Sequence, residues 1–159
     1  MSEKREIDKI ISGFNKKKID YVLIGRQAVM LYGAPLFSYD YDFWIHPGER
    51  IAIYEFLEDD LECESSKPRE MDEPLVIFTT PGGEKIDIFF SKRIVNLESE
   101  IICIEKVLSR AKRINEPGSR FYIMVPAIDD LIKLKKVSRR PKDLEDITYL
   151  EEIKKHLKF

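Results

Sequence analysis

Residues 38–45 read Ser38-Tyr39-Asp40-Tyr41-Asp42-Phe43-Trp44-Ile45. Their alternation and aromatic content predict a strand from Ser38 to Ile45. Side chains two apart on a strand share a face, so Asp40 and Asp42 are expected to project together, with Tyr39, Tyr41 and Phe43 on the other side. Two carboxylates held side by side repel and raise each other's proton affinity. A cation relieves that cost, and hard oxygen donors of this kind suit Mg2+ or Mn2+. A solvated polar stripe on a half-buried strand explains an isolated D-x-D equally well, so the reading depends on the flanking segments.

Upstream, Tyr21-Val22-Leu23-Ile24 is a short apolar run that predicts a strand buried on both faces. Gln27 to Tyr32 predicts a short helix, stopped by Gly33 and Pro35. Gly25-Arg26 therefore stands at a strand-to-helix junction. Backbone N–H groups at such a junction favour phosphate, and glycine admits close approach; a purely structural turn is the alternative. Downstream, Asp87 interrupts the apolar run Lys85-Ile86-Asp87-Ile88-Phe89-Phe90. A buried carboxylate needs a cation or a donor, whereas one at an exposed edge needs neither.

Leu75 to Thr79 and Lys85 to Phe90 predict two strands joined at Thr80-Pro81-Gly82-Gly83. Helices are expected over Glu3–Lys18, on Ile7, Ile10, Ile11 and Phe14, and over Glu49–Leu57, on Ile51, Ile53, Tyr54 and Leu57. Asp59 to Asp72 reads as a polar, mobile loop. Ile101 to Ile114 begins as a strand and continues as a helix. A turn at Glu116-Pro117-Gly118-Ser119 leads into a strand to Val125. Pro126 opens a helix to about Val137, with Asp129 and Asp130 in its first turn. Pro141 breaks the chain before a last helix, Lys142–Leu157. This order predicts one mixed α/β (α+β) domain over residues 1–159, with a core at about 5–125 and C-terminal helices at about 126–157.

The chain has 159 residues, 27 Lys+Arg and 29 Asp+Glu, for a net charge of −2. That balance excludes nucleic-acid binding by bulk charge alone. The local cluster Lys133, Lys135, Lys136, Arg139, Arg140 and Lys142 could still meet a polyanion, or be a mixed-charge helix end. No run approaches the ~20 apolar residues of a membrane span, so no membrane partner is expected. Cys63 and Cys103 lack metal-type spacing and fit free thiols in a reducing, cytoplasmic compartment. His46 reads as a turn residue and Trp44 as core.

The ordered set resembles the nucleotidyltransferase fold of the DNA polymerase β superfamily: Ile24-Gly25-Arg26, then Asp40-Tyr41-Asp42, then Asp87 on a later strand. The flanks Ala28, Leu31-Tyr32-Gly33 and Ser38-Tyr39 are similar to small bacterial and archaeal members, including relatives of abortive-infection toxins of toxin–antitoxin systems. So are Val125-Pro126, Asp130-Leu131-Ile132, Lys135 and Asp143-Leu144-Glu145-Asp146. The resemblance spans roughly residues 20–150. It implies a central mixed sheet flanked by helices. It also implies transfer of NMP from ATP or another NTP to an acceptor hydroxyl, releasing pyrophosphate. On that basis Asp40, Asp42 and Asp87 are the catalytic residues and the ligands of Mg2+ or Mn2+, with Asp87 as general base. Gly25, Arg26, Ser38 and Lys135 are the nucleotide-binding residues. RNA (tRNA among it), a protein or a small molecule would be the acceptor, and a toxin–antitoxin partner is implied. Two positions depart from the pattern. Arg26 replaces a Gly or Ser, and Leu36 replaces an arginine four residues before the first Asp. Both touch the triphosphate end of the site. A degenerate nucleotide-binding or regulatory module is therefore the alternative.

Overall fold

A computed structural model describes residues 5–115 and 117–157. The N-terminal apolar stripe forms α1 (Glu6–Lys16), which buries Ile7, Ile10, Ile11 and Phe14. After a left-handed turn at Lys18, β1 (Tyr21–Ile24) runs directly into α2 (Gly25–Leu31). Then come β2 (Tyr41–Ile45), a single 3-10 turn (Pro47–Glu49) and α3 (Arg50–Tyr54), which widens into a π-helical segment (Glu55–Asp60). The strands β3 (Glu64–Ser65), β4 (Leu75–Thr79) and β5 (Lys85–Phe90) follow. A second unit holds β6 (Arg93–Val95), β7 (Ile101–Cys103) and α4 (Ile104–Arg110). The chain closes with β8 (Lys112–Asn115), β9 (Tyr122–Val125), α5 (Ile128–Lys135) and α6 (Pro141–Lys155).

The main sheet has the order β1-β2-β5-β4-β3. Only β2 and β5 are parallel within it, and their register sets Asp42 opposite Asp87. Alternation divides the sheet into two faces. Tyr21, Leu23, Phe43, Ile45, Ile86 and Ile88 pack with α1 and Phe56 in the larger core. Val22 and Trp44 point the other way and pack with Ile102, Ile104, Val107 and Leu134. Asp42 and Asp87 lie on this second face, two residues before Trp44 and Phe89. The trailing strands and α4 and α5 thus cover one end of that face and leave the carboxylates at its open end. Burial of the apolar side chains of both clusters drives folding, at roughly 1.5–3 kcal/mol for each fully buried aliphatic or Phe side chain.

Several expectations are corrected. The second strand starts at Tyr41, not Ser38. Its partner β1 ends at Ile24, opposite Asp42, because the chain turns into α2 at Gly25. Residues 38–40 therefore have no ladder partner on that side. Tyr39 is exposed and meets Phe37 edge-on at 4.6 Å between ring centres, rather than lying beside Phe43. Ile51 is 69% exposed. Ile53, Tyr54 and Leu57 are buried as expected, and Arg50 rather than Ile51 completes the stripe at positions 50, 53, 54 and 57. The 59–72 segment is tied down. β3 pairs with β4, and the Arg50 guanidinium donates to the carbonyls of Arg69, Met71 and Glu73. The last two helices are Ile128–Lys135 and Pro141–Lys155, each slightly displaced from expectation, with Pro141 opening α6. The expected first helix began at Glu3, and the expected turn included Glu116; both residues lie outside the described ones. Both cysteines are free thiols. Among the described residues no helix is long and apolar enough to cross a membrane.

Candidate functional site

β1, β2 and β5 end at a cavity of about 480 Å3. Gly25, Asp40, Asp42, Asp87, Lys135, Ser138, Arg140, Lys142 and Asp143 contribute its polar lining. The parallel register of β2 and β5 sets Asp42 opposite Asp87 on one face of the sheet. Burial pushes Asp42 up to about 6, and the negative charges of Asp87 and Asp40 add to it, while Lys135 opposes. Burial raises Asp87 as well. Two anionic carboxylates in contact are unfavourable, so the pair retains a proton or takes up positive charge.

Asp40 lies on the rim, exposed, at the end of the loop that leads into β2. All three aspartates reach one cavity. However, no group of three His, Cys, Asp or Glu side chains among the described residues is close enough to form a ready metal cluster. Asp42 and Asp87 supply oxygen donors only, the chemistry of a hard divalent ion. Lys135 and Lys85 relieve their repulsion only in part, and such an ion would relieve the rest, so the donor set fits Mg2+ or Mn2+.

Gly25 abuts Asp42. Its φ is +74°, and a Cβ built there would sit 2.4 Å from Asp42 Oδ2. Glycine is required both for the left-handed backbone and for the close approach. Arg26 turns away from the cavity. Its Nε donates to Asp146 Oδ1 at 3.0 Å, and its Nη2 to Glu145 Oε1 at 2.8 Å and to the Lys142 carbonyl at 3.3 Å. It joins α2 to α6 instead of facing the aspartates. Ser38 turns away too: its hydroxyl accepts the Asp40 N–H, and it lines a neighbouring cavity that shares Asp40. Leu36 packs partly buried against the main core.

Lys135 is only 8% exposed. Its Nζ lies 2.6 Å from Asp146 Oδ2 and 3.5 Å from Asp143 Oδ1, and both aspartates are buried. Asp143 also accepts from the Arg140 guanidinium and the Ser138 hydroxyl. Burial by itself would raise the Asp143 carboxyl. The hydrogen bonds from Arg140 and Ser138, with the Lys135 charge, outweigh it and hold the group well below the usual carboxylate range. The rest of the basic cluster is largely paired: Lys133 lies 3.9 Å from Glu100, and Lys136 lies 3.4 Å from Glu98. His46 accepts the Gly48 N–H, as expected of a turn residue.

The chain matches, over residues 3–159, the family described as "Nucleotidyl transferase of unknown function (DUF2204)". The protein belongs to this family. No curated protein matches it in sequence. Its fold is that of solved nucleotidyltransferases. A lincosamide antibiotic adenylyltransferase, solved with lincomycin bound, superposes with a TM-score of 0.66 at 16% identity, covering 96% of this chain and 99% of the other. A nucleotidyltransferase of Thermotoga maritima gives 0.60 at 15% identity, over 95% and 89%. The antibiotic-resistance factor ANT(2'')-Ia gives 0.56 at 13% identity, over 93% and 85%. At these identities the likeness carries the architecture, the mixed central sheet flanked by helices.

Sequence reading singled out Gly25, the three aspartates and Lys135, and all five line the cavity. It assigned no site role to Ser138 or Asp143. Asp143 and Asp146 are three apart on α6, a spacing that puts both on one helical face, and that was the available signal. The apolar lining, Ile24, Phe43, Leu75, Phe89, Ile94, Leu134 and Val137, comes from six separate segments and left no local signature.

Proposed function

We propose that the protein transfers a nucleoside monophosphate from an NTP to an acceptor hydroxyl with the help of Mg2+ or Mn2+. The observation that carries this reading is the placement of Asp42 opposite Asp87 at the cavity, where Lys135 and Lys85 offset their charges only in part. Asp42, Asp87 and, from the rim, Asp40 would hold the cation, which supplies charge neutralisation for the phosphates in an in-line displacement. Asp87 takes the proton of the attacking hydroxyl. Lys135, Arg140 and Lys142 bring positive charge to the triphosphate, and Gly25 lets it approach the backbone. The lincosamide adenylyltransferase and the ANT(2'')-Ia resistance factor agree with such a transfer. ATP as the donor, a tRNA acceptor, a toxin–antitoxin partner and a cytoplasmic location are finer readings that rest on the motif resemblance.

The degenerate-module reading drew on Arg26 and Leu36. The Arg26 side chain is engaged by Asp146 and Glu145 and does not crowd the cavity, which removes that reason for inactivity. The deciding experiment is thermal unfolding with each NTP, with and without Mg2+ or Mn2+, on wild type and on Asp40→Asn/Asp42→Asn. A ligand at 100 times its Kd stabilises by about 2.7 kcal/mol. The expected result is a shift that needs both the cation and the wild-type aspartates. Absence of a shift with every NTP would overturn the reading.

A further inference from the structure

The strand order runs from β1 through β2 and β5 to β4, so the cavity has two ends on either side of the acid pair. Gly25 follows β1. Beyond Asp87, on the far side, the next strand is β4, where Ile77 is paired with Asp87 and Leu75 with Phe89. The two ends differ in chemistry. The polar end carries Gly25, Lys135, Ser138, Arg140 and Lys142. The far wall is built from Leu75, Phe89, Ile94 and Val137. Leu75 and Val137 are each 42% exposed, although they flank a concave site. Of the cations near the far wall, Lys67, Lys133 and Lys136 are paired with Glu73, Glu100 and Glu98. Lys92 and Arg93, beside Ile94, are exposed, but two charges next to an apolar wall fall short of the continuous track that nucleic-acid binding demands.

Resting on the transfer reading above, we infer that the acceptor is a small molecule with an apolar body, seated on the Leu75–Phe89–Ile94–Val137 wall with its hydroxyl directed at Asp87. In-line displacement requires the attacking and leaving oxygens on opposite sides of the α-phosphorus. With the triphosphate at the polar end, the acceptor must arrive from the β4 end. Its oxygen forms a bond to the α-phosphorus as the bond to the bridging oxygen breaks. Pyrophosphate leaves with that electron pair, and the hydroxyl proton passes to Asp87. Apolar surface on the acceptor is covered by the wall, leaving the polar recognition to one or two groups at the acid pair.

The test uses octyl glucoside, below its micellar concentration, and methyl glucoside, which offer the same hydroxyls with and without an apolar body. Each is titrated calorimetrically into the full chain with Mg2+ and a non-hydrolysable NTP analogue. The octyl compound is expected to bind at least tenfold more tightly. Leu75→Ser/Val137→Ser, which removes the apolar surface without adding charge, is expected to erase that preference. Equal affinities in wild type, or a preference that survives in the double variant, would overturn the inference. In parallel, α-labelled NTPs are incubated with the protein and separate low-mass, RNA and protein fractions of a cell extract. Label in a low-mass product retained longer than free NMP on a reversed phase supports the inference. Label in nuclease-sensitive or protease-sensitive material refutes it while leaving nucleotidyl transfer standing. Failure of the NTP analogue to bind wild type at all would instead defeat the transfer reading, and this inference with it.

Discussion

The molecule buries carboxylates in two places and treats them in opposite ways. On α6, Asp143 and Asp146 are met from inside the chain by Lys135, Arg26, Arg140 and Ser138. On the sheet, Asp42 and Asp87 lie opposite each other, and Lys135 and Lys85 offset their charges only in part. The first cluster is complete as it stands. Its charges are compensated, so it fixes how α5 and α6 sit against α2. The second is incomplete, because like charges brought together raise the free energy of the empty site. A cluster satisfied by its own chain is architecture, while one left in debt is where a ligand gains binding energy.

The largest effect should come from breaking the compensated cluster. Lys135→Met leaves buried Asp143 and Asp146 short of their shared cation, and a loss of about 3 kcal/mol is expected in urea unfolding. A loss below ~0.5 kcal/mol would mean that Arg26 and Arg140 suffice alone. The same cluster predicts an acid dependence. Asp143 titrates lower in the folded than in the unfolded protein, so its contribution is present above the ordinary Asp range and fades as pH falls through and below about 4. Asp143→Asn should be less stable at neutral pH and flatter across that acid window. Parallel curves for the two proteins would rule the contribution out.

At the junction of the two regions, Gly25→Ala combines a left-handed backbone with a Cβ driven into Asp42. A cost of about 2 kcal/mol is expected, together with weaker NTP-dependent stabilisation. An alanine variant with unaltered nucleotide response would show that Asp42 moves freely. The smallest and most telling change is Asp42→Asn, which should raise stability without ligand by about 1 kcal/mol, since it removes a repulsion. The same variant should lose the cation-dependent NTP shift. Destabilisation by Asp42→Asn would erase the contrast between the two clusters.

Much of the arrangement was legible in the residues. Tyr21–Ile24, Leu75–Thr79 and Lys85–Phe90 form the strands expected of them, because short apolar runs bounded by Gly and Pro have few other solutions. Asp87 was conspicuous as a carboxylate in an apolar strand. Tyr39 was misassigned because aromatic alternation resembles a strand even where no neighbouring strand is present to pair with it. Ile51 failed because it lies off the stripe 50, 53, 54 and 57, whose first place is taken by Arg50, a residue type that composition alone assigns to the surface.

The sequence by itself determined most element types and the mixed α/β class, and it marked Asp40, Asp42 and Asp87 as candidates, since these follow from local patterning and from the cost of acids among apolar residues. Only the tertiary structure decided that β2 and β5 lie parallel with Asp42 opposite Asp87. The same holds for Arg26 reaching 120 positions along the chain to Asp146, and for Lys135, a residue type that is usually solvated, being buried between two acids. Strand register and ion-pair partners are long-range properties. They depend on which elements dock together, and local composition carries no record of that choice.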